Sequence, residues 1–281
     1  MLPTPATSMR LMADRLSALS ARYDVLFCDI WGVLHGGGAA FPTAVDALQR
    51  FRAGGGTVVM VSNSPRPGGP LAHQLLSIYR TPGDAFDAVV SAGDVMVDAL
   101  RTRPGLWHLE GPSSDLGIFD GLDVEFGPVE GARGVVMTQL KDGLTETGAS
   151  YLPLLSQMKA AGQVFVCGNA DRIVEHGGRR YVCPGAVADE YQAIGGEVVW
   201  CGKPTQPIYD LAFRKVPSTP RERILAIGDG LLTDIAGAKT AGIDVMFITG
   251  GIHGHEMDEA ETARLAPLNP HMVGLADHLA W

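Results

Sequence analysis

The sequence lacks any run of about 18 apolar residues, so a hydrophobic membrane-spanning helix is not expected. It has no lysine- or arginine-rich run either, and its formal charge is −9. A broad electrostatic footprint on nucleic acid or on anionic lipid is therefore not expected, and an anionic small molecule would need a local positive site. The four cysteines, Cys28, Cys167, Cys183 and Cys201, form no C-x-x-C pair and lie mainly in apolar, strand-like contexts. They read as reduced core thiols, which makes the protein cytoplasmic by expectation. No internal repeat and no low-complexity segment stands out. What remains, 46% apolar and 19% charged residues over 281 positions, is enough to bury a large core or a core with a second unit.

Short β-rich runs alternate with helical patterns almost throughout, which points to an α/β fold with parallel sheets and crossover helices. Met9, Met12, Leu16 and Leu19 at helical spacing predict an amphipathic N-terminal helix. VLFCDI then leads through a Gly-rich loop into FPTAVDALQRFRAGG, where Pro42 suits the first helical turn and Gly54 to Gly56 end it. TVVMVS, a helix with Leu71, Leu75 and Ile78 on one face, AVVSAGD and a short helix continue the same sheet. After RTRPG the pattern restarts with LWHLEG, GVVMTQ, a helix near Tyr151 to Ala161, QVFVCGNAD and a helix from about Ala186 to Ile194. This middle stretch reads as an inserted domain, residues 104–196, with 1–103 and 197–281 forming the core. EVVWCG, a helix through Tyr209 and Leu211, ILAIGDG, a helix starting near Thr233, DVMFIT and a terminal helix are expected to complete the first sheet.

In open parallel sheets the functional groups gather beyond the carboxyl ends of the strands. Asp29 follows VLFC, Ser62 and Asn63 follow TVVMV, Lys203 follows VVWCG, and Asp229 with Asp234 follows ILAIG. Taken singly, each has a plain structural explanation: a strand end, a turn, a solvated lysine, a helix cap. Chance placement of all four at strand ends is hard to credit.

In order and separation these segments resemble the four motifs of the haloacid dehalogenase (HAD) superfamily hydrolases, subclass IIA, the NagD-like sugar and nucleotide phosphatases. DIWGVL stands for the first motif, VSNSPR for the second, GKP for the third and GDGLLTDI for the fourth; GNADR and PGAVADEY resemble the cap's closing segments. The resemblance covers nearly the whole chain. It implies a Rossmann-like doubly wound core with an inserted α/β cap, and a magnesium-dependent phosphatase in which Asp29 forms an aspartyl-phosphate. Mg2+ would be held by Asp29, the backbone carbonyl of Trp31 and Asp229, with Asp234 supporting through water or Lys203. Ser62 and Asn63 would donate to phosphoryl oxygens, and Lys203 would offset negative charge. The partner implied is a small phosphorylated metabolite: sugar phosphate, nucleotide and pyridoxal phosphate all stay open. Caps of this subclass can also supply a homodimer interface. Arg66 reads equally well as an exposed loop residue and is left out of the site.

Trp31 departs from the pattern. Most phosphatases of the family carry there a second aspartate, the general acid and base, whereas an indole N–H only donates and does not titrate. Positioned proton transfer is worth roughly a hundred- to ten-thousand-fold in rate. Three outcomes follow: hydrolysis limited to esters with good leaving groups, a proton supplied by His35 or a cap residue, or a phospholigand-binding protein with little turnover. Dehalogenase chemistry ranks third among the functions, because GKP and the GDxxxxD pair suit a metal-bound phosphoryl site better. An esterase reading of HGGG at His35 to Gly38 fails for want of a G-x-S-x-G elbow. GDGLLT is one residue short of a dinucleotide fingerprint, with Thr233 where the third glycine belongs. Asp171, Glu175 and His176 have no spacing known for a second metal.

Overall fold

The computed structural model describes residues 13–251 and 271–281. Its larger sheet has six parallel strands: β1 (Val25–Cys28), β2 (Thr57–Ser62), β3 (Ala88–Ser91), β11 (Ile224–Gly228), β12 (Asp244–Ile248) and β13 (Met272–Ala276), in the order β13-β12-β11-β1-β2-β3. Alternate residues face opposite layers, as the period of two in a strand requires. Val25, Phe27, Val59 and Val61 pack with helices α3 (Ala92–Arg101), α6 (Gln206–Lys215) and α7 (Ala236–Ala241). Leu26, Cys28, Val58 and Met60 pack on the other face with α1 (Pro42–Ala53) and α2 (Gly68–Ser77). Burial on both faces explains the near-continuous apolar runs of these strands. The chain order reverses between β1 and β11, so the carboxyl ends of these two central strands open onto one crevice.

A second parallel sheet comes from the middle of the chain: β4 (Gly105–Glu110), β5 (Val124–Phe126), β6 (Gly134–Met137), β7 (Val164–Cys167) and β10 (Glu197–Trp200), ordered β10-β7-β6-β4-β5. Helices α4 (Leu152–Ala160) and α5 (Pro184–Ala193) cover it through Leu155, Met158, Val187 and Tyr191. A separate antiparallel hairpin, β8 (Ile173–His176) and β9 (Arg179–Val182), turns through Gly177 and Gly178, whose φ values of 60° and 70° suit a tight primed turn.

Several expectations need correction. EVVW does not join the first sheet; it pairs in parallel with β7, from Glu197↔Val164 to Trp200↔Cys167, and its Val198 and Trp200 pack on the apolar cluster under α4 and α5. Of the N-terminal helix, Met9 and Met12 lie outside the described residues, while Leu16–Ala18 and Ser20–Arg22 form two short 3₁₀ turns. Leu16 and Leu19 are nonetheless buried. The terminal helix expected after DVMFIT falls largely on 252–270, outside the described residues; Met272–Ala276 beyond them is a strand. The helix expected near Thr233 begins as a π-turn, Leu231–Ile235. All four cysteines are free and buried. Burial pushes each thiol up, Cys201 to about 12, so none is a ready nucleophile. No helix among the described residues is long and apolar enough to cross a membrane.

Candidate active site

Asp29 leaves β1 directly, its N–H bonded to the Ile227 carbonyl of β11 at 2.8 Å and its Oδ1 accepting from the Ile30 N–H at 2.7 Å. β11 delivers Asp229 in the same way, and the π-turn after it brings Asp234 back toward the strand end, where Asp234 Oδ2 accepts from the Gly230 N–H at 3.1 Å. The Lys203 ammonium bridges Asp29 Oδ1 at 2.7 Å and Asp234 Oδ1 at 2.8 Å. All four side chains are buried. Two glycines make room for Asp229. A Cβ on Gly32, which sits at φ 80°, or on Gly251 would fall 2.0 Å from Asp229 Oδ2.

Ser62 and Asn63 end β2 beside this cluster. Ser62 Oγ accepts from the Ser64 N–H at 3.2 Å, which leaves its hydroxyl proton available. Asn63 is more heavily engaged: its Oδ1 accepts from the Lys203 N–H at 2.6 Å, and its Nδ2 donates to Asp171 Oδ1 at 2.8 Å and to the Lys203 carbonyl at 3.3 Å. Its side chain thus ties three segments together, the end of β2, the lysine loop and the loop after β7. The structure brings Asp29, Ser62, Asn63, Lys203, Asp229 and Asp234 together. Arg66 is exposed and donates to Gln74.

The electrostatics of the cluster call for a cation. Burial, and then Asp234, hold the Asp29 carboxyl well above the usual range, although Lys203 draws it back. Burial opposes the Lys203 charge, but Asp234 and Asp29 more than offset it, so the ammonium is retained. Three carboxylates and one ammonium sum to −2 when all are ionised. Carboxylate oxygens of Asp29, Asp229 and Asp234 lie within 4.8 Å of one another, and no other such group of metal-ligating side chains occurs among the described residues. An all-oxygen donor set of that span fits a hard divalent ion such as magnesium.

Comparison with known proteins agrees with this architecture. A family model for haloacid dehalogenase-like hydrolases matches residues 26–112, and a HAD-hydrolase-like model matches 200–280. A haloacid dehalogenase-like family hydrolase from Brucella suis 1330, known from its crystal structure, is 39% identical, over 95% of this chain and 100% of that one, with a TM-score of 0.86. The chain belongs to the haloacid dehalogenase-like hydrolases. A glycerol-3-phosphate phosphatase from Homo sapiens is 26% identical over 88% of this chain and 85% of its own length. Ribonucleotide monophosphatase NagD from Escherichia coli (strain K12) is 25% identical over 86% and 93%. These relatives agree with the subclass IIA assignment.

In this hydrolase the Trp31 side chain is spoken for. Its Nε1 donates to the Glu175 carbonyl in the hairpin at 2.9 Å, and its ring meets His35 edge-on at 5.1 Å and His176 at 5.6 Å. His35 is buried at 1% exposure and stacked on Tyr79 at 3.8 Å, and its Nδ1 accepts from the Gly37 N–H. Burial, with His176 nearby, lowers its pKa to about 4, so at neutral pH it has no proton to give as an acid. The second-metal grouping is not realised. Asp171 bonds Asn63, Glu175 offers its backbone carbonyl to Trp31, and His176 offers its ring. Sequence reasoning missed the hairpin contact to Trp31, and the close approach of Gly37 to His176 was its one readable trace, in the HGGG run.

Proposed function

We propose that the protein is a magnesium-dependent phosphatase of small phosphomonoesters, with Asp29 as nucleophile. The observation that carries the reading is the buried bridge from Asp29 through Lys203 to Asp234, which aims one carboxylate at the crevice and holds it beside a fixed positive charge. In the first step an Asp29 oxygen attacks phosphorus, the P–O bond to the alkoxide breaks, and an aspartyl-phosphate remains; in the second, water attacks phosphorus, the Asp29 O–P bond breaks, and inorganic phosphate leaves with one water proton while the other passes to solvent, from which the alkoxide takes its proton. Ser62 Oγ and the Asn63 backbone N–H hold the phosphoryl oxygens, the Asn63 side chain being spent on Asp171 and the lysine loop, while Lys203 stabilises charge that grows in the transition state. Asp29, Asp229 and the Trp31 carbonyl would hold Mg2+, with Asp234 supporting; the ion would neutralise the carboxylates and the phosphoryl group. The division into core and cap follows the two sheets, the cap ending after Trp200 rather than at residue 196.

Pro65 and the cap enclose a cavity of about 340 Å³, lined by Asn169, His176, Tyr181 and Cys183 and by none of the residues of the Asp29 cluster. Since neither Trp31 nor His35 acts as an acid at neutral pH, the leaving group the site suits is one that departs without strong protonation. The same Trp31 contact favours the second reading, a phospholigand-binding protein with little turnover. A panel of aryl and alkyl phosphomonoesters, assayed with and without magnesium against Asp29→Asn, separates the two. Magnesium-dependent turnover abolished in Asp29→Asn supports the phosphatase; inertness on every ester, with binding retained, supports the second reading.

A further inference from the structure

We propose that the Trp31 side chain is a clasp: it fixes the hairpin β8–β9 over the nucleophile, two residues along the chain from Asp29, and so positions the cap. The hairpin pairs only with itself and joins neither larger sheet. Isolated two-stranded hairpins are marginal in water, so this one needs outside anchors. At its base, Val182 N–H bonds the Gly143 carbonyl at 2.7 Å and Cys183 N–H the Arg172 carbonyl at 2.9 Å, both within the cap. Toward its tip, the Trp31 indole reaches across from the core to the Glu175 carbonyl at 2.9 Å.

The rings around this bond form a continuous stair. Tyr79 stacks on His35 at 3.8 Å, His35 meets Trp31 at 5.1 Å, Trp31 meets His176 at 5.6 Å, and His176 meets Tyr181 at 6.4 Å. It starts at Tyr79, partly buried against the core, passes through the buried His35 and ends at two side chains that line the cavity beside Pro65. Gly37 admits the stair: a Cβ there would fall 2.1 Å from His176 Nδ1. On the other side of the clasp, Trp31, Glu175, Gly177 and Gly178 line a second cleft, of about 320 Å³, with Gly250 and Gly251. Loosening the indole therefore frees one wall of each cleft, and a residue unable to transfer protons governs how the cap closes.

Hydrogen exchange of the native chain, Trp31→Phe and His176→Ala tests this. Phe keeps a ring and loses the N–H, and one lost hydrogen bond corresponds to roughly two- to tenfold faster exchange of the hairpin amides, 173–182, with β1 and β2 unchanged. His176→Ala removes an exposed side chain and weakens the clasp from the cap side. If Trp31→Phe loosens the whole fold, His176→Ala decides alone. Faster exchange confined to the hairpin supports the clasp; unchanged hairpin exchange overturns it. The kinetic consequence rests on the phosphatase reading: KM rises by a larger factor than kcat falls in both variants, and equal effects on the two would overturn a positioning role. Exchange is measured without turnover, so an inert native chain would sink the phosphatase reading and leave the clasp standing on the exchange result.

Discussion

Replacing Lys203 by methionine keeps most of the side-chain volume and removes the one charge that bridges Asp29 and Asp234. Both contacts are short, 2.7 and 2.8 Å, and both partners are buried, so the carboxylates cannot turn to water for compensation. Breaking a buried pair by removing one partner costs about 3–5 kcal/mol, against a total stability of about 5–15 kcal/mol for a protein domain. Lys203→Met should therefore lose about a fifth or more of its stability at pH 8 by urea denaturation. Adding Asp234→Asn removes one of the stranded charges and should recover part of the loss. The pH dependence has a definite sign. A carboxylate raised above its unfolded pKa in the folded state gains protons on folding, so the penalty in Lys203→Met shrinks as pH falls toward 5. Magnesium, bound only by the folded chain, should restore about 2.7 kcal/mol at a hundred times its Kd. A Lys203→Met chain within about 0.5 kcal/mol of native at pH 8 without magnesium would refute the electrostatic argument.

Further outcomes follow from single side chains. Trp31→Asp should raise turnover on alkyl phosphates more than on p-nitrophenyl phosphate, since only the former need a proton, within the roughly hundred- to ten-thousand-fold range of acid catalysis; equal gains on both would count against the missing-acid argument. His35 is held near pKa 4 when folded and titrates near 6.5 when unfolded, so stability should fall by about 1.4 kcal/mol per pH unit as pH drops from 6.5 toward 4. That slope should vanish in His35→Asn, measured by urea midpoints across pH. Gly32→Ala puts a Cβ 2.0 Å from Asp229 Oδ2 at φ 80°, and should cost about 1–3 kcal/mol together with magnesium affinity by calorimetry.

Much of the core was legible because each of its central strands is a short apolar run stopped by a polar residue, and burial on both faces of a parallel sheet writes that pattern directly. Asp29, Ser62 and Asp229 could be placed at strand ends for that reason, and Lys203 by the same kind of run in β10 of the second sheet. The pattern carries no label for the partner sheet. VVW reads the same whether it joins the first sheet or the second, and only the pairing with β7 and the packing of Val198 and Trp200 under α4 and α5 place it. The hairpin was unreadable as such because IVEHGGRRYV mixes apolar and charged residues with half-exposed faces on both sides. Trp31 stayed ambiguous for a deeper reason: its acceptor is a backbone carbonyl 144 residues away, and any residue at position 175 supplies one. Asn63 likewise showed its donor groups in the sequence but not that Asp171 and the lysine loop would engage them.

The account stands most directly on the covalent role of Asp29. Acid quenching during turnover of p-nitrophenyl phosphate with magnesium, followed by mass analysis of the digested chain, should find one phosphoryl group on the peptide that carries Asp29, and none in Asp29→Asn. Sustained turnover with no phosphoryl group on Asp29, and undiminished in Asp29→Asn, would contradict it.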